Sequence, residues 1–129
     1  MSLFQLGKFM SHAGNELEWK IECDALTDDD WECLAKMIAD RVMFHEVVGI
    51  PRGGSKLAAA LQKYCETKKS EFDGILKIDY YRLVVDDVWT TGTSMKEFMK
   101  PGDFGYVVFA RNRIPPDMSV RALFTMDVL

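Results

Sequence analysis

Apolar positions along the chain switch between a helical and an extended period. After Thr27 and the run Asp28-Asp29-Asp30, residues Trp31, Leu34, Ile38 and Val42 recur at helical spacing. That pattern predicts a helix to about Phe44, N-capped by Thr27 and carrying a negative first turn. Val47 to Ile50 reads as a short buried strand, Pro51-Arg52-Gly53-Gly54 as a turn, and Ser55 to Glu66 as a second helix with Leu57, Ala58, Leu61 and Cys65 on one face. Lys68 to Gly74 is a polar loop and Ile75 to Ile78 a short strand. Leu83 to Val85 is a strand that stops at Asp86-Asp87, followed by a small-residue turn and a brief helix, Ser94 to Met99, closed by Pro101-Gly102. Tyr106 to Ala110 and Val120 to Thr125 read as two more strands. Residues 1–26 are irregular apart from a strand pair around Glu18 to Cys23, where Trp19 and Ile21 alternate with polar neighbours. Short apolar strands alternating with helices predict a single α/β domain over residues 1–129, with a mostly parallel sheet flanked by helices in 27–129. Ligands in such sheets sit at the carboxyl ends of strands, so the two Gly-containing turns can face one crevice.

Composition narrows the function classes. The chain has 129 residues, 48% apolar and 28% charged, the range of a soluble globular protein. No apolar run approaches a membrane span, and the N-terminus does not read as a signal peptide. Cys23, Cys33 and Cys65 form no C-x-x-C pair, so neither a zinc site nor a disulfide framework is indicated and a reducing cytoplasmic setting is expected. A net charge of −4, with no basic stripe, argues against nucleic acid as a partner. It also means that any polyphosphate must be held by local amides, a few placed cations and a divalent metal.

Two motifs carry candidate chemistry. In Leu83 to Met95, LVVDDVWTTGTSM, adjacent carboxylates Asp86 and Asp87 precede Thr90-Thr91-Gly92-Thr93-Ser94, a turn that can wrap a phosphate with amide and hydroxyl groups. Neighbouring side chains on a strand point to opposite faces, so both acids reach one ligand only if the strand ends there. Carboxylates beside a phosphate cradle call for a ligand bearing hydroxyls, or a metal, together with a phosphate, and a ribose 5-phosphate fits. The bland alternative is a surface strand end with a turn glycine. The second motif, Gly49 to Lys56, opens a helix after a strand and favours an anion. It nearly imitates a P-loop, but Ser55-Lys56 stands in the reverse order and the lysine is misplaced for that role. Its bland alternative is a glycine-rich connection.

Leu83 to Met95 resembles the thirteen-residue signature of type I phosphoribosyltransferases, which bind phosphoribosyl pyrophosphate, PRPP. Gly49 to Gly54 is similar to the pyrophosphate loop of that family, which commonly carries a cis or strained non-proline peptide. By position the candidate bond is Pro51–Arg52 or its neighbour. Similarity to the orotate phosphoribosyltransferase branch reaches further. Gly7 to Gly14 resembles its G-x-F-x-L-x-S-G segment, Trp19 to Asp24 falls where those enzymes place a hood strand, and Ala110-Arg111-Asn112 is similar to their D-R-Q segment. There are departures. The interval from Thr67 to Gly74, with Lys68 and Lys69 its only cations, is too short for the family's long lid. His12 stands in place of a base-site lysine, and Lys20-Ile21 in place of aromatic residues.

The resemblance implies a Mg²⁺-dependent enzyme that exchanges the pyrophosphate of PRPP for a ring nitrogen of a nucleobase. Residues 1–26 would form a small hood, and a homodimer is expected because dimers are common in the family. Asp86 and Asp87 would hold the ribose hydroxyls and help place Mg²⁺, Thr90 to Ser94 the 5-phosphate, and Arg52, Gly53 and Gly54 the pyrophosphate. Arg111 and His12 would meet the base, although a lone His near a terminus is more often an ordinary polar residue and Arg111 could equally pair with a surface acid. Lys68 and Lys69 would serve as what lid there is. The base stays open among purines, orotate, uracil and non-natural rings. The competing class is a non-catalytic regulatory module of the same fold that binds PRPP or a nucleotide.

Overall fold

The computed structural model describes residues 1–10, 14, 16–66 and 80–126. Four strands, β3 (Glu46–Gly49), β4 (Arg82–Trp89), β5 (Phe104–Ala110) and β6 (Val120–Thr125), form a sheet in that spatial order, and all three pairings are parallel. Helices α1 (Asp28–Ala39) and α2 (Ser55–Leu61) cover one face of the sheet, and α3 (Thr93–Phe98) the other. A separate antiparallel hairpin pairs β1 (Phe4–Met10) with β2 (Glu16–Ile21). The expected α/β class, with a mostly parallel sheet and a small N-terminal hood, is the observed one. Among the described residues no helix is long and apolar enough to cross a membrane.

Burial on both faces explains why β4 and β5 read as continuous apolar runs. Leu83, Val85, Tyr106 and Val108 point into the core under α1 and α2, with Trp31, Ile38, Leu57 and Leu61. The alternate residues Val84 and Val107 meet Met95 and Trp89 on the α3 side. The hairpin is fastened to this core by Phe4, packed edge-to-face on Phe109 with ring centroids 6.3 Å apart, and by the Glu22 N–H donating to the Leu3 carbonyl.

Several boundaries differ from expectation, each for a tertiary reason. Helix α1 begins as predicted: Thr27 Oγ1 accepts from the Asp30 N–H at 3.1 Å while Asp30 Oδ2 accepts from the Thr27 N–H at 2.9 Å, a reciprocal cap. It ends at Ala39 instead of near Phe44. Phe44 is nonetheless 1% exposed, because the segment leading into β3 buries it without helical geometry. Helix α2 gives way at Gln62 to a 3₁₀ turn that ends at Tyr64, short of the predicted Glu66. Strand β1 starts at Phe4, within a region expected to be irregular. The predicted strand Ile75 to Ile78 lies outside the described residues.

The largest correction concerns β4. It does not stop at Val85 but runs through both acids to Trp89. What stops there is one neighbour. The β3 ladder ends at Gly49 opposite Val85, whereas β5 stays paired to β4 as far as Trp89 opposite Ala110. Asp86 and Asp87 therefore stand where the strand loses its β3 edge.

Candidate active site

The crevice opens at that lost edge. It has a volume of about 600 Å³ and is lined by Pro51, Arg52 and Gly53, by residues Asp86 to Met95, by Arg111, and by Leu17, Lys20, Ile21 and Asp24 from the hairpin side. Strand alternation alone would send the two acids to opposite faces. Both nonetheless line the crevice, and the packing shows that the alternation slips by one across them: Val85 and Val88 both meet the α1 and α2 side, whereas Val84 and Trp89 meet the α3 side. Each carboxylate also folds onto the next amide. Asp86 Oδ1 accepts from the Asp87 N–H at 2.8 Å and Asp87 Oδ1 from the Val88 N–H at 2.7 Å.

Asp86 is 9% exposed. Burial, and then the negative charge of Asp87, push its carboxyl up from 3.8 to about 8, against the pull of the Asp87 amide. A buried acid held so high is poised to gain from a cation or from hydroxyl donors placed against it.

The two glycine turns converge on this pair. A Cβ at Gly53 would overlap the Asp87 carboxylate, so only a glycine lets the turn lie against that acid. The Pro51–Arg52 peptide is cis; the loop's resemblance points to this bond or its neighbour. Gly54 is set back from the crevice: it is buried, and its N–H donates to the Ile50 carbonyl at 2.8 Å. In the second turn Gly92 has φ +83 and lies directly on the indole of Trp89, where a side chain would collide with the ring. Thr91, Thr93 and Ser94 are exposed, and the Thr91 and Thr93 hydroxyls are 2.9 Å apart.

The hairpin closes one side. The Arg111 guanidinium lies 3.4 Å from the centroid of the Trp19 ring and donates to the Trp19 carbonyl, while burial lowers its pKa. Lys20 pairs with Glu22 at 2.9 Å and sits 4.7 Å from the Phe9 ring centroid. Cys23 is buried behind the acids, where desolvation and then the charge of Asp87 push its thiol up and keep it protonated.

The sequence matches no protein-family model and no curated protein. Solved structures do match. Orotate phosphoribosyltransferase from Aeropyrum pernix superposes with a TM-score of 0.68 at 19% identity, over 96% of this chain and 88% of that one. Orotate phosphoribosyltransferase from Mycobacterium tuberculosis gives 0.61 at 14%, over 95% and 89%. The chain has the type I phosphoribosyltransferase fold. Leishmania donovani UMP synthase gives a TM-score of 0.72 at 15% identity over 96% of this chain, which spans 34% of that longer protein.

On this phosphoribosyltransferase fold the residues expected at the site fall into three groups. Asp86, Asp87, Thr90, Thr91, Gly92, Thr93, Ser94, Arg52, Gly53 and Arg111 all line one crevice. Gly54 stands behind its wall. His12, Lys68 and Lys69 lie outside the described residues. Sequence reasoning missed Trp89, whose ring floors the second turn, and Asn112, whose Nδ2 donates to the Thr90 carbonyl at 2.6 Å. Trp89 lies inside the quoted signature and Asn112 directly follows Arg111, but nothing in their spacing marks them as contacts.

Proposed function

We propose that the protein is a phosphoribosyltransferase that exchanges the pyrophosphate of PRPP for a ring nitrogen of a nucleobase. The observation that carries this reading is the meeting of two glycine turns on one acidic pair, with Gly53 pressed against Asp87 and Thr90 to Ser94 following directly on the strand. Asp86 and Asp87 hold the ribose hydroxyls. The negative charge of Asp87, joined by that of Asp86 once a bound cation draws off its proton, also favours the positive charge that develops on the ribose as pyrophosphate leaves. The exposed Thr91, Thr93 and Ser94 hydroxyls and the turn's amides take the 5-phosphate. Gly53 and Arg52 face the pyrophosphate, and Arg111 with the hairpin hood faces the base. No covalent nucleophile is required, and the buried, protonated Cys23 is not one. The rate then rests on positioning and on electrostatic stabilisation of the departing group.

The acidic pair fits Mg²⁺. It offers hard oxygen donors, and the burial and mutual repulsion that raise Asp86 are conditions a divalent cation relieves. The two carboxylates would bind the ion, with water and substrate oxygens completing its coordination. When bound, the ion supplies charge neutralisation at the pyrophosphate.

The test is pyrophosphate release from PRPP with Mg²⁺ across orotate, uracil, hypoxanthine, xanthine, guanine and adenine, with Asp86→Asn/Asp87→Asn as the control. Release that depends on one base and vanishes in the control is expected. PRPP binding without release for any base would replace the transferase by a regulatory binding module.

A further inference from the structure

Arg111 and Asn112 follow β5 and belong to neither glycine turn, yet Arg111 bonds the last residue of β4 and Asn112 the first residue of the turn that follows it. The Arg111 N–H donates to the Trp89 carbonyl at 2.8 Å, and Asn112 Nδ2 donates to the Thr90 carbonyl at 2.6 Å. Two successive carbonyls are thereby drawn toward the same two-residue segment. A trans peptide is planar, with its C=O and the following N–H pointing in opposite directions. Holding the Trp89 and Thr90 carbonyls on one side therefore turns the Thr90 and Thr91 amides to the other. Successive amides aimed alike make a concave anion site. Asn112 itself does not line the crevice, whereas Thr90 and Thr91 do. The brace falls on the open part of the turn: Thr91, Thr93 and Ser94 are exposed, whereas Gly92 is packed on Trp89. The same segment reaches the hood through the Arg111 guanidinium on Trp19.

We propose that Asn112 is a positioning residue for phosphate: it touches no ligand but fixes the direction of the amides that do. The inference rests on the reading of Thr90 to Ser94 as the 5-phosphate site. It is tested by calorimetric titration of ribose 5-phosphate, and separately of inorganic pyrophosphate with Mg²⁺, into the wild type, Asn112→Ala and Arg113→Ala. Arg113 is an exposed neighbour that does not line the crevice. Losing one hydrogen bond to a carbonyl weakens ribose 5-phosphate binding about three- to tenfold in Asn112→Ala. Pyrophosphate affinity stays unchanged, and Arg113→Ala matches the wild type for both ligands. Equal losses for both ligands in Asn112→Ala would show a merely structural role and overturn the proposal. Unchanged ribose 5-phosphate affinity would overturn it while leaving the phosphate site standing. A wild type that binds no ribose 5-phosphate would remove the phosphate site, and Asn112's role with it.

Discussion

Replacing Asp86 by asparagine removes a titrating proton and nearly nothing else. The new amide oxygen can still accept from the Asp87 N–H, as the carboxylate does at 2.8 Å, and the shape of this 9% exposed side chain is kept. In the folded protein burial and the neighbouring Asp87 hold the Asp86 carboxyl at about 8, against an ordinary 3.8. The unfolded chain gives up this proton near pH 4, whereas the native chain keeps it to about 8. Between those limits the unfolded state binds fewer protons, so stability falls as pH rises. The contribution is fully present below about pH 4 and is lost progressively as pH climbs through about 8. One group titrating this way changes stability by up to about 1.4 kcal/mol per pH unit. From pH 5 to 7 that is about 2–3 kcal/mol, or roughly 6–12 °C in Tm for a chain of this size. The asparagine side chain does not titrate, so the difference between the two proteins isolates this group from the other carboxylates. Thermal melts of both at pH 5, 6, 7 and 8, in buffer free of divalent metal, should show Asp86→Asn gaining on the wild type as pH rises. Adding Mg²⁺ at pH 8 should raise the wild-type Tm and leave the variant's nearly unchanged. Parallel pH profiles for the two proteins would refute the assigned burial and repulsion at Asp86.

Gly53→Ala should destabilise the protein by about 1–3 kcal/mol, because the new methyl group has to displace Asp87, and should cut PRPP affinity at least tenfold; a melt and a titration together check this, and unchanged binding would remove Gly53 from the site. A thiol reagent applied under native conditions should label exposed Cys33 promptly and spare buried Cys23 until denaturant is added; early labelling of Cys23, read by peptide mass, would contradict its burial behind the acids.

What could be read from the chain was what depends on near neighbours in sequence. The Thr27 N-cap with its acidic first turn, the turn at Pro51 to Gly54 and the strand Val120 to Thr125 are local patterns, and the structure keeps them. The end of β4 was misjudged because Asp86-Asp87 looks like a strand terminus, and only the presence of β5 reveals that pairing continues. β1 stayed hidden because Phe4 to Met10 contains Gly7 and leaves Phe4, Leu6 and Met10 exposed, so neither face shows a buried alternation. At the site, the acids and both glycine turns stood out through residue type and resemblance. The contacts of Arg111 with Trp19 and of Asn112 with Thr90 span separations of 92 and 22 residues, beyond any local pattern.

Among the described residues the crevice is assembled from four stretches far apart in the chain: residues 17–24, 50–53, 86–95 and 107–111. No contiguous fragment carries it, so binding competence and completed folding arrive together. A ligand that bridges the acids, both turns and the hood acts as a staple across the whole tertiary structure, adding RT ln(1 + [L]/Kd) to its stability. The lifetime of the protein in a cell that degrades unfolded chains then becomes a record of ligand supply, with starvation for ligand shortening it before any change in synthesis.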